Sequence, residues 1–270
     1  MNGPPEDAYS RTSNLDRFAG LHTVAYALIE WLRSTFDVEV ETGPRVVEDL
    51  LASSLSVHWI LASSSLGDSD RGADLLRRIE GRMLPLRLVD PQTLLRLAPT
   101  EHSQGIIAVA EIPRPDWQVV ERAGAEAVVV LLDAVQDPGN VGTLARTAEA
   151  LGAAALVTLP GTVDPWNAKA VRAAAGSLFR LPILESGWVP AAEHLRAAGF
   201  RILASEVGGD PPPRGGGRVG LVLGNEGAGL SPEVRAGCDG SIGIPLRGRA
   251  ESLNVAAAAA ILLYELTQKR

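Results

Sequence analysis

The hydrophobic positions in the first half of the chain switch repeatedly between helical and extended spacing. From about Ala19 to Thr35 the apolar residues recur with a period near 3.6, which predicts an amphipathic helix. Gly43-Pro44 then breaks the pattern. The remaining elements predicted in this half are helices near 46–51, 73–79 and 91–97 and strands near 57–61, 86–89 and 106–110. This alternation indicates a small α/β domain.

The second half shows the same alternation more strongly. Val128 to Leu132 is a continuous aliphatic run, as expected for a strand that is buried on both faces. Further strands are predicted near 155–159, 200–204, 219–223 and 242–244. Helices are predicted near 140–151, 167–175, 191–198 and 253–266, and the Gly- and Pro-rich stretch 208–217 predicts a loop. The pattern therefore predicts a mostly parallel sheet with helices on both faces.

These patterns divide the chain into a polar N-terminal segment and two domains joined by a linker. Residues 1–18 are polar and contain Pro4 and Pro5, so we expect them to be disordered. The proline-rich stretch Pro113 to Asp116 is a plausible linker. We therefore expect one domain over 19–115 and a second over 116–270.

The composition excludes several classes of protein. The single cysteine, Cys238, allows no internal disulfide, and the four histidines are too scattered for a metal site. The longest apolar run, Val255 to Tyr264, is about half the length that crosses a bilayer, so we expect a cytoplasmic protein without a membrane span.

The net charge of −7 argues against a tight nonspecific binder of nucleic acid. Lys169 and Lys269 are the only lysines, so nearly all the basic residues are arginines. The planar guanidinium can bond two phosphate oxygens at once, so local arginines remain compatible with RNA.

Three loops, each placed after a predicted strand, concentrate glycine and polar side chains, and ligands bind at the carboxyl ends of parallel strands. The first is Asp137 to Gly142, and it leads into a helix that carries Arg146. Asn140, Thr143 and Arg146 are spaced by three residues and can share one helix face. Alternatively, Asn140 only caps this helix and Arg146 is a solvated surface residue.

The second loop, Leu223 to Pro232, places glycines on both sides of Asn225-Glu226, which allows close approach of a ligand. Alone, it could be a plain connection with a surface glutamate. The third loop, Ile244 to Asn254, ends where Ser252 or Asn254 could merely cap the last helix.

Together and in this order, the three loops resemble the three signature motifs of the SpoU (TrmH) family of SPOUT methyltransferases. The resemblance covers roughly residues 127–268. The matching residues are Asn140, Gly142 and Arg146 in the first motif, Gly224, Asn225, Glu226, Gly227 and Gly229 in the second, and Ile244, Pro245, Ser252, Leu253 and Asn254 in the third.

Two shorter segments resemble the family's N-terminal substrate domain, which is similar to small ribosomal proteins that bind kinked RNA. They are Glu41 to Glu48 and His102 to Gly105. Relatives often carry a Lys/Arg-rich stretch ahead of this domain, whereas here Leu21 to Phe36 is an apolar helix.

The resemblance implies a trefoil-knotted C-terminal domain that dimerises and binds S-adenosylmethionine, and an enzyme that methylates a ribose 2′-hydroxyl in RNA. It assigns Arg146 to the 2′-hydroxyl. Because a guanidinium keeps its proton, we expect this arginine to orient the substrate and stabilise alkoxide charge rather than to act as a base. The other site residues implied are Asn140, Glu226, Ser252 and Asn254. Cofactor contacts are expected near Leu223, Gly224, Asn225, Gly227, Ile244, Leu246 and Leu253.

The expected substrate is 23S ribosomal RNA, with transfer RNA as the alternative. A noncatalytic RNA-binding member of the family would carry a damaged motif, and none of the three is damaged. A Rossmann-type nucleotide enzyme would need a phosphate-binding loop, and the glycine spacing for one is absent.

Overall fold

The computed structural model describes residues 38–97, 104–213 and 217–268. The segment predicted to be disordered, 1–18, and the helix predicted at Ala19 to Thr35 lie outside these residues. The described chain divides into two compact units. Residues 38–44 and 58–111 form the first, and residues 45–57 and 112–268 form the second.

The first unit is built on a four-stranded sheet with the order β1-β4-β2-β3. Its strands are β1 (Val38–Thr42), β2 (Val57–Ser63), β3 (Leu86–Val89) and β4 (Ile106–Glu111). Strand β4 is buried from Ile106 to Ala110, because it lies between two other strands. Its helices are α2 (Asp70–Gly81) and α3 (Pro91–Leu97). Helix α1 (Pro44–Ala52) groups with the second unit from Arg45 onward.

The second unit contains a six-stranded sheet with the order β10-β8-β9-β5-β6-β7, in which every neighbouring pair is parallel. Its strands are β5 (Val128–Asp133), β6 (Ala155–Thr158), β7 (Ile183–Glu185), β8 (Arg201–Asp210), β9 (Val219–Gly224) and β10 (Gly240–Ile242). Its helices are α4 (Gln118–Glu121), α5 (Pro138–Ala150), α6 (Ala168–Ala174), α7 (Trp188–Ala197), α8 (Pro232–Gly237) and α9 (Val255–Thr267). The predicted α/β architecture with a parallel sheet is confirmed.

The core of the second unit surrounds strand β5, whose six residues are all buried. Val129 and Leu131 belong to a hydrophobic cluster that also contains Ala191 and Leu195 of helix α7. Helix α9 packs against helix α5 and strands β9 and β5. An all-parallel strand needs cover on both faces, and the aliphatic run of β5 reflects that.

The predicted boundaries were wrong at several places. Strand β8 continues to Asp210, because Asp210 pairs with Ile242, so the first part of the predicted loop 208–217 is extended. Strand β10 covers 240–242 and not 242–244. Strands β1 and β7 and helix α4 were not predicted. Elements this short carry too few residues for a periodic pattern.

The backbones of strand β8 and of the segment after β10 pass unusually close to each other. A Cβ atom on Gly243 would lie 2.3 Å from the carbonyl oxygen of Glu206, and one on Gly209 would lie 2.6 Å from the carbonyl carbon of Ile242. Only glycine permits this approach. Whether the C-terminal segment threads a loop, as the knot requires, remains a prediction. None of the described helices is long and apolar enough to span a bilayer.

Candidate active site

The three motif loops meet at one edge of the six-stranded sheet. Asp133, the last residue of β5, pairs with Gly224, the last residue of β9. The loop after β5 runs into helix α5, and the loop after β9, Asn225 to Ser231, runs into helix α8. The carboxyl edge of a parallel sheet is where loops converge on ligands, so the order of the strands gathers these segments.

Helix α5 begins two residues earlier than expected. Asp137 caps it, since its Oδ1 accepts from the backbone N–H of Asn140 at 3.0 Å, and Pro138 occupies the first turn. The alternative in which Asn140 is the cap is therefore wrong. The Asp137 Oδ2 accepts from Lys169 Nζ at 3.1 Å, and this hydrogen bond holds the pKa of the Asp137 carboxyl below its usual value.

A chain of side-chain hydrogen bonds connects the three motifs. The Asn140 Nδ2 donates to Glu226 Oε1 at 2.7 Å, and the Asn254 Nδ2 donates to Asn140 Oδ1 at 3.2 Å. The Asn254 Oδ1 also caps helix α9, since it accepts from the backbone N–H groups of Ala256 and Ala257. Asn254 therefore combines the capping role that the sequence left open with a contact inside the site.

This chain has a fixed direction. The Glu226 Oε1 accepts, so the Asn140 amide turns its NH₂ group towards it. The Asn254 oxygen is held by the helix N–H groups, so its NH₂ group must face Asn140. Each amide has one orientation, and the three motifs are locked in one arrangement.

Arg146 lies six residues beyond Asn140 on helix α5, which is about 9 Å along the axis. Its side chain is exposed. Within the part of the chain that the structure describes, it takes part in no hydrogen bond or ion pair with another residue. Among the described contacts, Glu226 and Asn140 bond each other and not Arg146. The guanidinium is therefore available to a ligand.

The position of helix α5 depends on its packing against helix α6. A Cβ atom on Gly142 would lie 2.1 Å from the carbonyl oxygen of Ala170 and 2.7 Å from the Cβ of Ala173. Gly142 is therefore required for the close packing of helices α5 and α6. Further along, Glu149 pairs with Arg180 at 3.0 Å, and this hydrogen bond lowers the pKa of the glutamate.

The loop after β9 is shaped by Asn225. Its Oδ1 accepts from the backbone N–H groups of Gly227 and Ala228, both at 2.9 Å, and its backbone bonds Gly229 in both directions. Its Nδ2 donates to the carbonyl of Ala134 at 2.9 Å. Asn225 was predicted to contact the cofactor, but the hydrogen bonds of its side chain go to the protein. Glu226 and Gly227 are exposed at the tip.

The third loop contributes partly exposed apolar residues. Leu253 is 39% exposed, whereas Ile244 and Leu246 are half-buried. The backbone from 244 to 254 forms neither helix nor strand, so its N–H and C=O groups are not engaged in the hydrogen bonds of a helix or a sheet. Ser252 is exposed, and within the described residues its hydroxyl bonds no other group. Of the predicted cofactor positions, Leu223 is buried at the end of β9.

Sequence reasoning missed two residues that hold this site together, Asp133 and Lys169. Asp133 is only 4% exposed, and its Oδ2 accepts from the backbone N–H of Ser231 at 2.6 Å. A carboxylate directly after the aliphatic run Val128 to Leu132 was the available signal, because a group that ends such a buried run needs a partner. Nothing in the sequence pattern placed Lys169 beside Asp137.

Comparison with known proteins supports the resemblance to the SpoU family that the three motifs indicate. The model of the SpoU rRNA Methylase family matches residues 127–264, and a model for a family of unknown function matches residues 1–93. The chain is 35% identical to a Bacillus subtilis protein named 23S rRNA (guanosine(2553)-2′-O)-methyltransferase RlmP, over 86% of this chain and 88% of that protein. It is also 35% identical to a Streptomyces viridochromogenes 23S rRNA (uridine(2479)-2′-O)-methyltransferase, over 73% of this chain and 71% of that protein.

A solved structure agrees with these sequence matches. The SpoU methyltransferase AviRb from Streptomyces viridochromogenes, crystallised in complex with AdoMet, superposes with a TM-score of 0.78 at 28% identity, over 93% of this chain and 97% of that one. The three loops, their position at one sheet edge and these matches confirm the resemblance seen in the sequence. The chain therefore belongs to the SpoU rRNA methylase family.

Proposed function

We propose that this protein transfers a methyl group from S-adenosylmethionine to a ribose 2′-hydroxyl of 23S ribosomal RNA. The observation that carries the proposal is the chain from Asn254 through Asn140 to Glu226, which joins three motifs at the start of the helix that carries the exposed Arg146. Two relatives at 35% identity are named for this reaction on 23S rRNA, one at a guanosine and one at a uridine. The RNA is common to both names, whereas the base is not.

The loops after β9 and β10 fit S-adenosylmethionine. A Cβ atom on Gly224 would lie 2.5 Å from the carbonyl carbon of Gly229. The backbone of Gly229 therefore occupies the space that a side chain at position 224 would need, and the turn between the two residues is tight. Partly exposed Leu253 and half-buried Leu246 offer an apolar surface for a flat base, and the neighbouring peptide groups offer polar contacts. When bound, S-adenosylmethionine supplies a methyl group that its sulfonium already activates.

The protein's own residues then orient the acceptor. Arg146 is an exposed cation that can bond a ribose or phosphate oxygen and stabilise the negative charge that develops on the 2′-oxygen. It cannot remove the proton, because a guanidinium keeps its own. Asn140 and Glu226 are hydrogen-bonded to each other near the start of helix α5, the helix that carries Arg146. Alignment of this kind lowers the barrier of a displacement between two bound groups.

The first unit is proposed to bind the RNA, in keeping with the domain division expected near residue 116. The chain carries a net charge of −7, so recognition must rest on local arginines and on RNA shape rather than on a general basic surface. We place the enzyme in the cytoplasm, where ribosomal RNA would be its substrate.

The test is methyl transfer in vitro with radiolabelled S-adenosylmethionine. Bacterial 23S RNA that lacks its own modifications, 16S RNA and transfer RNA serve as substrates, and alkaline hydrolysis locates 2′-O-methyl groups as resistant bonds. Incorporation into 23S RNA with one resistant bond is expected. Labelling of transfer RNA alone, or of a base instead of a ribose, would contradict the proposal.

We further propose that two copies associate through helix α9. Its buried side includes Leu262, Leu263 and Leu266, but Ile261 and Tyr264 on the other side are 43% and 54% exposed. These two residues are three apart and lie on one stripe of the helix. Burial of these two exposed side chains against the same residues of a second copy, related by a two-fold axis, is favourable.

Sedimentation equilibrium tests this assembly. At micromolar concentration the protein should sediment at about twice its chain mass of 28.4 kDa. The substitution Ile261→Glu should produce monomers, whereas Val189→Glu, at an exposed apolar position on helix α7, should leave the dimer intact. Monomeric wild-type protein that methylates RNA fully would refute the assembly.

A further inference from the structure

The loop from Asn225 to Ser231 is tied to the end of strand β5 at two points. At one point the buried carboxylate of Asp133 accepts from the backbone N–H of Ser231 at 2.6 Å. At the other, the carbonyl of Ala134 accepts from Asn225 Nδ2 at 2.9 Å. The two ties hold opposite ends of a loop whose tip, Glu226 and Gly227, is exposed.

Both ties need a specific feature of residues 133 and 134. Asp133 is 4% exposed, and a carboxylate is buried at this depth only when a donor compensates for the lost water. Ala134 has a φ of 55°, in the left-handed region that residues with a side chain seldom adopt. Such a conformation persists where the surroundings enforce it, and such residues are concentrated at functional sites.

We propose that Asp133 and Ala134 form a clamp that sets the Asn225–Ser231 loop in its ligand-binding shape before the cofactor arrives. Asp133 is then a positioning residue, since it acts through Ser231 and through the loop rather than on the reacting atoms. The proposal rests on the proposed function in one respect, because it takes this loop to be part of the S-adenosylmethionine site.

The clamp acts on affinity through preorganisation. A free loop samples many shapes, and the apparent affinity of a ligand falls in proportion to the fraction of molecules in the competent shape. With Asp133 removed, the end of the loop at Ser231 is free to move, while the hydrogen bonds of Asn225 inside the loop remain. We therefore expect weaker cofactor binding without a change in the chemistry of Arg146.

The experiment compares three variants of the full-length protein. Asp133→Ala removes the acceptor for Ser231, whereas Asp133→Asn keeps an oxygen that can accept the same hydrogen bond. The control is Asp239→Ala, because Asp239 Oδ2 accepts from the backbone N–H of Ile202 at 2.8 Å near the amino end of β8, away from the loops, while its other oxygen pairs with Arg196 at 3.2 Å.

Two measurements are made on each variant. Calorimetry with S-adenosylmethionine should show about tenfold weaker binding for Asp133→Ala, a change of less than about threefold for Asp133→Asn, and none for Asp239→Ala. Hydrogen exchange without ligand should show faster exchange of the Ser231 amide in Asp133→Ala only, whereas the Gly229 amide, which is bonded to the carbonyl of Asn225, should keep its protection. At saturating cofactor, kcat should stay near the wild-type value while KM for S-adenosylmethionine rises.

The outcomes separate the clamp from the proposed function. Wild-type protein that fails to bind S-adenosylmethionine would refute the function, and the exchange experiment would still decide the clamp. Unchanged protection of Ser231 in Asp133→Ala, or an unchanged dissociation constant, would overturn the clamp. If the Asp133→Ala variant does not fold, the same measurements are made on two variants at Ala134. Ala134→Val should loosen the loop and Ala134→Gly should not, because a β-branched residue is strained at positive φ.

Discussion

Replacing Asn254 by aspartate separates two roles that this residue combines in the structure. Its Oδ1 caps helix α9 by accepting from Ala256 and Ala257, and its Nδ2 donates to Asn140. Aspartate keeps a capping oxygen and loses the donor. Alanine loses both.

The expected changes in stability follow from these contacts. Loss of an N-cap costs about 1 kcal/mol, and loss of one ordinary hydrogen bond costs about the same. Asn254→Asp should therefore lower the free energy of unfolding by about 1 kcal/mol at most, since a negative charge at a helix N-terminus is favourable. Asn254→Ala should lower it by about 2 kcal/mol. In a protein of this size each 1 kcal/mol shifts Tm by roughly 2–4 °C.

The activities should follow a different order. In Asn254→Asp an oxygen faces Asn140 Oδ1, and the Asn140 amide cannot turn round without placing its oxygen against Glu226. Both variants therefore lose the ordered chain. A misplacement of Arg146 that costs about 1.4 kcal/mol in the transition state reduces kcat about tenfold. We expect a loss of at least that size in both variants, although the aspartate variant stays nearly as stable as the wild type.

Calorimetric or fluorescence melting and methyl transfer at saturating substrates provide the two readouts. A control is Asn167→Asp, since the Asn167 side chain caps helix α6 by accepting from the backbone N–H of Lys169 and, within the described residues, bonds no residue of the three motif loops. Full activity in Asn254→Asp with loss in Asn254→Ala would mean that the residue only caps the helix. That result would refute the directional chain.

Three further predictions use other parts of the second unit. Arg146→Ala should fold and bind S-adenosylmethionine but lose most methyl transfer in single-turnover assays, and Arg146→Lys should restore little of it, because an ammonium lacks the planar fork. Gly142→Ala should cost about 1–2 kcal/mol in a denaturant titration despite the better helix propensity of alanine, since its Cβ would meet Ala170, whereas Gly124→Ala, with open space around it, should cost less. Burial raises the pKa of the Cys238 thiol from 9.0 to about 11. The unfolded thiol then loses its proton first as pH rises, so Tm should fall between about pH 9 and 11, and Cys238→Ser should remove that part of the slope.

Much of the fold followed from the amino-acid sequence alone. The aliphatic run of β5 identified a strand buried on both faces, and the prolines and glycines beside Asn140 and Glu226 marked the loops that carry the motifs. These signals are local, since hydrophobic periodicity and turn-forming residues can be recognised in a few neighbouring positions. Asn140, Arg146, Glu226 and Asn254 were selected in the same way, through the order of three motifs.

Only the tertiary structure decided how those residues meet. Asn140 and Asn254 are 114 positions apart, and Asp133 and Ser231 are 98 apart, so no pattern along the chain could pair them. The sheet order β10-β8-β9-β5 brings their loops to one edge, and strand order depends on packing of the whole unit. The same reason explains why Asp133 and Lys169 went unnoticed, since a carboxylate or an ammonium gains its role from the partner that folding places beside it.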